Sequence, residues 1–259
     1  MNMKAMESVA VQTAIRLSVI LLGFAILSGC ASYHAKFGPP TLVLKEPKMQ
    51  FMVEPDFEIS LNAIPGELVI KGIDNDYAEA SMEVKCPDIS GPCADHFADL
   101  EFVTRREGNE LTISANKRAL INGIFYGGNS AVKTTLALPR VEHLKVNMFA
   151  GNANIYGIDV IRLDVNVKAG NLDINVNKVE TLKVDVEAGD VKIAIPENIV
   201  AEVDLDAGVG DVSIRSPRGY KNAPRSFLVG AEVKKSISNE GATVNADVQF
   251  GNIRLNLTP

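Results

Sequence analysis

The 259-residue chain is poor in the residues that most often carry chemistry, with three cysteines, three histidines and 6% aromatics. His34, His96 and His143 fall in separate stretches. None stands in a Ser-His-Asp arrangement or at zinc-ligand spacing. No Cys-x-x-Cys occurs, and the calcium-binding nonapeptide Gly-Gly-x-Gly-x-Asp is absent. Beyond residue 30 no apolar run reaches about 18 residues, so no transmembrane helix is expected there. No segment after that point keeps a helical period. Positive charge is scarce too: 26 Lys+Arg stand against 32 Asp+Glu, a formal net charge of −6. Such a surface is a poor generic partner for nucleic acid or anionic lipid heads. These absences point away from cofactor, metal and catalysis: no enzyme is expected, and no nucleic-acid partner.

What is present begins with an address. Lys4 and Arg16 precede an apolar run from Leu17 to Leu27, which ends in Leu27-Ser28-Gly29-Cys30. The run has the length of a signal-peptide core and is too short for a stable membrane span. The small residues before Cys30 resemble the lipobox of bacterial lipoproteins. That resemblance implies a leader over residues 1–29, removed in the mature protein, and an acylated Cys30 as its first residue. Several acyl chains on one residue anchor stably, each buried CH₂ contributing roughly 0.8 kcal/mol. Ala31 at the second position favours, by the same resemblance, the outer membrane, with the protein facing the periplasm. Losing Lys4, Arg16 and Glu7 with the leader takes the net charge from −6 to −7.

Residues 30–55 read as a tether, with Gly38-Pro39-Pro40, Pro47 and Pro55, and residues 56–259 as the folded part. The two remaining cysteines frame Cys86-Pro-Asp-Ile-Ser-Gly-Pro-Cys93. In an oxidising compartment this spacing is expected to close a short-loop disulfide, with a redox pair or a metal site as the less favoured readings.

From Phe57 onward apolar residues alternate: Phe57, Ile59 and Leu61, then Leu68 and Ile70, then Ala78, Ala80, Met82 and Val84. Turn residues recur every eight to twelve positions, which is an all-β signal. The second half repeats itself. "LKVNMFAG", "LDVNVKAG", "LKVDVEAG" and "AEVDLDAG" end at Gly151, Gly170, Gly189 and Gly208, and a fifth copy, "VNADVQFG", ends at Gly251. After each glycine comes Asn or Asp and an alternating strand, except in the fourth copy, where Val209-Gly210 intervenes. A period near twenty in a β-rich chain marks a solenoid, expected here as a single-stranded, right-handed β-helix with rungs of 19–20 residues. The 43 residues before Gly251 would hold one further rung and an insertion around 216–225, giving about six rungs.

The columns have physical sense. Alternate Val, Leu and Met fill the interior, Ala150, Ala169, Ala188 and Ala207 narrow the corner, and glycine supplies a backbone angle others resist. Stacked Asn and Asp can bond neighbouring backbone as a corner ladder. Lys145, Asp164, Lys183 and Glu202 alternate in sign down one outward column, which favours in-register stacking. Asn147, Asn166, Asp185, Asp204 and Asp247 form another. Hard oxygens suit calcium, yet a solvated β-surface accounts for them equally well.

The rungs "AGNLDI" and "AGDVKI" and the opening "NAIPGELVIKG" resemble a family of bacterial envelope proteins that comprises "putative-adhesin", head GIN and toastrack domains. The resemblance covers about residues 57–257. It implies a β-helix-like fold and a cell-envelope or sensory role, with no catalytic residues to carry over. One stretch stands apart, "ALINGIFYGGNSAV", residues 119–132. Its Leu120, Ile121, Ile124, Phe125 and Tyr126 either cap one end of the solenoid or contact a partner. The function expected is a non-enzymatic envelope lipoprotein that binds, scaffolds or adheres. It is tied to the membrane by Cys30, has an envelope protein or a glycan as partner, and its oligomeric state is left open. The alternatives are a polysaccharide-processing β-helix enzyme and a sensory partner of a membrane regulator.

Overall fold

Alternation of buried and exposed side chains persists through nearly every strand, and it builds two sheets that face each other across one apolar core. The computed structural model describes residues 42–54, 56–86, 95, 97–116, 131–217, 230–238 and 240–259. Each rung contributes one strand to each sheet, here called sheets A and B, and the sharp corner between them is the glycine turn seen in the repeats.

The central element is β9 (Val141–Ala169), a single 29-residue strand that winds through three segments. Its first segment lies in sheet B and its middle segment, entered at Gly151, in sheet A. Its last segment returns to sheet B, paired with β11 (Thr181–Ala188) at an offset of 19 residues, Thr181 opposite Arg162. In sheet A β10 (Leu172–Lys178) pairs in parallel with the middle segment of β9 and with β12 (Val191–Pro196).

At both ends the stacking order departs from the chain order. β3 (Glu58–Ala63) and β4 (Gly66–Gly72) form a rung lodged between β9 and the later rung made by β7 (Glu110–Ala115) and β8 (Ala131–Leu138). At the other end β16 (Ala242–Phe250) lies between β11 and β13 (Val200–Val209), and β17 (Ile253–Thr258) between β12 and β14 (Val212–Arg215). The last copy of the repeat is therefore inserted in front of the fourth. Among the described residues of 141–258 five rungs arise, where about six were expected. The long gap before Gly251 includes β15 (Ala231–Ser236), which runs antiparallel along the outer edge of β13.

The fourth copy also shifts. Pairing through β16 puts Val203 level with Leu182 and Gly210 level with Gly189, so this rung is 21 residues long. The extra residues are taken up around the 3₁₀ turn at Glu197–Ile199. The corner glycine is Gly210, at φ 145°, and not Gly208. Likewise Val209, level with Ala188, replaces Ala207 in the corner column, while Ala207 is buried in the core.

The corner explains the invariance of glycine within the repeat. A Cβ on Gly170 would lie 1.5 Å from the carbonyl oxygen of Gly151, and one on Gly189 1.7 Å from that of Gly170. Both also hold a positive φ. The expected ladder follows. The backbone N–H of Asn171 donates to Asn152 Oδ1 at 3.2 Å, that of Asp190 to Asn171 Oδ1 at 3.1 Å, that of Asn252 to Asp190 Oδ1 at 3.0 Å, and that of Asp211 to Asn252 Oδ1 at 3.0 Å.

The folded part begins earlier than expected. Within residues 30–55, β1 (Leu42–Lys45) and β2 (Lys48–Met52) pair antiparallel with β5 (Tyr77–Cys86), so the folded part has begun by Leu42. The edges are managed by antiparallel strands. β5 covers β8, and β6 (Phe102–Glu107), rich in charge, covers β7. A satellite cluster that includes Met82, Val84, Phe97 and Leu100 closes the core near this end, as a solenoid requires. No helix among the described residues is long and apolar enough to cross a membrane.

Candidate functional site

The fold offers two outer faces and two sides. Several residues singled out from the sequence, Cys30, Cys93, His34, His96 and the 119–130 part of the apolar loop with Leu120, Ile121, Ile124, Phe125 and Tyr126, lie outside the described residues. Cys86 ends β5 fully buried.

The outer face of sheet B carries the acidic column. In space it reads Asn62, Asn147, Asn166, Asp185, Asp247, Asp206. Asp206, not Asp204, belongs to it, because of the two-residue shift in the fourth rung. The amide part is a hydrogen-bonded ladder: Asn147 Nδ2 donates to Asn62 Oδ1 at 3.0 Å and Asn166 Nδ2 to Asn147 Oδ1 at 3.4 Å. Asn62 was not legible as a member, since β3 is far away in the chain and joins the stack only through its place beside β9. The acidic part is three carboxylates on successive rungs. Burial first, then the charges of Asp206 and Asp185, push the Asp247 carboxyl above its ordinary value, with Lys183 opposing. A shallow depression of about 470 Å³ lies along this column, bordered by Lys145, Lys168, Glu187 and Gln249. Among the described residues no group of three His, Cys, Asp or Glu side chains is placed to hold a metal ion.

The alternating-charge column is also revised. Level with Lys183 stand Asn245 and then Asp204, while Glu202 lies two positions earlier, opposite Thr243. Asp164 takes its partners from the neighbouring column: His143 Nε2 lies 2.9 Å from its Oδ2, and Arg162 Nε donates to the same oxygen at 3.0 Å. His143 Nδ1 is also 3.7 Å from Glu58 Oε2. Burial would raise Asp164, but the hydrogen bonds from Arg162 and His143 outweigh it and hold the carboxyl below its ordinary value. Arg162 and His143 are both already engaged with carboxylates, which is the chemistry of a structural clamp.

Opposite the glycine corner, successive turns from four rungs enclose a larger side groove of about 760 Å³. Its walls come from the turn 72–76, from 138–140, from the bend 157–161 of β9 and from Asn177. No motif marks it in the sequence, because its residues are spread over four separate turns.

A two-sheet solenoid with a glycine corner, an Asn/Asp ladder and charged outer columns defines the class of protein. Residues 139–256 match the family model described as Toastrack DUF4097, so this part of the chain is similar to a domain of that family. Among solved structures, a "putative cell adhesion protein" from Clostridium sporogenes superposes with a TM-score of 0.56 at 19% identity, over 83% of this chain and 100% of that one. That likeness shows the shared fold, and it extends over the rungs before residue 139. A "putative adhesin" from Bacteroides fragilis aligns at 12% identity, over 84% of this chain and 99% of that one, with a TM-score of 0.35. Among curated proteins none matches the chain significantly.

Proposed function

We propose that the protein is a non-enzymatic module of the bacterial envelope, anchored through an acylated Cys30, facing the periplasm from the outer membrane, and binding or scaffolding a partner. The observation that carries this reading is the outer face of sheet B. Its side chains stand in register on parallel strands, with the amides of Asn62, Asn147 and Asn166 locked to one another. The carboxylates of Asp185, Asp247 and Asp206 continue the same column. A rigid, patterned, nearly flat surface suits contact with an extended partner better than it suits enclosure of a reacting group. The loop 119–132, with Phe125 and Tyr126, belongs to this reading as a second contact.

The test is crosslinking of the tagged, lipidated protein in cells, with and without Asp185→Lys and Asp247→Lys. A specific envelope partner lost in these variants supports the reading. Partners unchanged by them and by Phe125→Ser with Tyr126→Ser sink it. Incorporation of labelled fatty acid that disappears in Cys30→Ala supports the anchor, and unchanged incorporation rejects it.

A second reading, a polysaccharide-processing enzyme, is favoured by one observation, the presence of Asp74, Asp76 and Asp159 in one groove. Cleavage of an offered oligosaccharide would establish it over the first reading.

A further inference from the structure

The side groove combines features that together set it apart from the smaller depression on the sheet B face. First, it is concave and of small-ligand size, about 760 Å³. Its four turns lie on successive rungs, so it runs about 14 Å along the solenoid axis at roughly 4.8 Å per rung.

Second, it holds a carboxylate oxygen in want of a donor. Asp159 Oδ1 is buried and has no hydrogen-bond partner among the described residues. A polar oxygen left in that state favours a ligand that brings a donor to the carboxylate. The protein itself shows what satisfies a carboxylate on this side of the fold. In the turn after β12, Glu197 Oε1 accepts a hydrogen bond from the hydroxyl of Ser216 at 2.6 Å.

Third, the lining is amphipathic in the manner of a hydroxyl-rich ligand. Ile73, Leu138, Pro139 and Ile161 supply apolar wall beside Arg140, Asn177 and the carboxylates. Both tyrosines among the described residues are about half exposed, and both stand next in the chain to lining residues. Tyr77 (50%) follows Asp76, and Tyr156 (45%) precedes Gly157. Exposed aromatic rings of this kind offer a flat apolar body with a polar tip.

Fourth, the charge has a sign. Asp74, Asp76 and Asp159 outnumber Arg140, so an anionic ligand is disfavoured.

We propose that this groove is a binding site for a non-anionic saccharide, neutral or amine-bearing. Asp159 accepts from a ligand hydroxyl or ammonium group, and Arg140 donates to a ligand oxygen. The inference rests on the reading of the protein as a binding module and gives that module a ligand class.

The experiment is titration calorimetry on the detergent-solubilised full chain with chitotetraose, the glucosamine tetramer and maltotetraose, and with a tetragalacturonate as the anionic control. Binding of at least one of the first three, preferred over tetragalacturonate, is expected. Asp159→Ala should weaken it by about tenfold or more, as removal of a carboxylate acceptor does. Arg140→Ala, at an exposed position, should weaken it without changing the melting temperature and so covers the case in which the Asp159 variant fails to fold. No binding of the three, a preference for tetragalacturonate, or binding indifferent to both variants overturns the proposal. If crosslinking through the sheet B face survives while no saccharide binds, the groove has failed and the binding module stands. A saccharide that binds while no crosslinked partner is found leaves the groove as the functional surface.

Discussion

Asp190 and Asn252 are 62 residues apart in sequence and one rung apart in space: the backbone N–H and the side-chain amide of Asn252 both donate to Asp190 Oδ1, at 3.0 and 2.8 Å. On its other side Asn252 Oδ1 accepts the backbone N–H of Asp211 at 3.0 Å. The C-terminal rung is thus a wedge between β11/β12 and β13/β14. The rung containing β13 and β14 has no direct strand partner on its inner side until the end of the chain is in place. Such non-local pairing makes folding depend on contacts that form late.

Deleting residues 240–259 is therefore expected to do more than shorten the solenoid. It removes the inner partner of both β13 and β14 and uncovers the apolar edge of β11 and β12. Limited proteolysis should cut within 200–217 in the truncated chain and spare it in the full one. Equal protection in both chains would show that β13 can dock on β11 directly.

The glycine corner gives a graded prediction. Gly170→Ala meets both a φ of 144° and a backbone oxygen 1.5 Å from the new Cβ, and backbone cannot yield cheaply. Gly108 has a φ of 61° with nothing within 4 Å, so Gly108→Ala carries only the conformational cost of roughly 1–2 kcal/mol. Urea unfolding should place Gly170→Ala at least about 2 kcal/mol below Gly108→Ala in stability. Similar values for the two would show that the corner relaxes by separating the rungs.

How far the fold was legible follows from which interactions are local. Period-two alternation and the Gly-Asn/Asp corner depend on residues near one another in sequence, so the all-β class, the 19-residue rungs and the ladder Asn152–Asn171–Asp190 could be read directly. The order of the rungs could not. Whether β16 follows β13 or slips in front of it depends on which edge remains open, and both edges have the same alternating pattern. The two-residue shift of the fourth rung was hidden by the coincidence that "DAG" and "GVG" both offer a glycine. Proline content made 30–55 look irregular, though Lys48–Met52 alternates well enough to pair with β5. The side groove belongs to turns, whose three-dimensional meeting no period encodes.

Asp164 links the fold to pH. Its carboxyl is held below the unfolded value of 3.8 through Arg162 and His143. A depressed carboxyl stabilises fully above the unfolded value, and that contribution is lost as pH falls through the folded one. Asp164→Asn should therefore be less stable than the parent at about pH 6, with the gap narrowing below about pH 4. Thermal melts across that range check it, and a gap that widens toward acid would contradict the clamp.

The cysteine loop is testable without further structure. If Cys86 and Cys93 are joined, the unreduced unfolded chain reacts with a thiol reagent at neither position, and Cys93→Ser lowers stability by about 2–3 kcal/mol under oxidising conditions. Cys86→Ser should cost more, because a hydroxyl would replace sulfur at a fully buried position beside Met82 and Phe97. Labelling of both cysteines before reduction would show them to be separate thiols.

The acidic column sets stability against contact. Asp247 lies between Asp185 and Asp206 on adjacent strands, and its raised carboxyl reflects burial and those two charges. A raised carboxyl favours the folded state at low pH and loses that advantage as pH rises through its folded value, so at neutral pH Asp247 works against the fold. Asp247→Asn should therefore raise the melting temperature at pH 7, with a gain of roughly 0.2–1 kcal/mol, the scale of like charges facing each other across strands. The gain should shrink as pH falls through the raised value of the parent carboxyl, which is then itself protonated. If the same variant also weakens crosslinking to the envelope partner, the three-carboxylate stack is maintained for contact at a cost in stability. If stability rises and crosslinking is unchanged, the stack is no part of the contact, and the binding surface must be sought on the loop 119–132 or in the side groove.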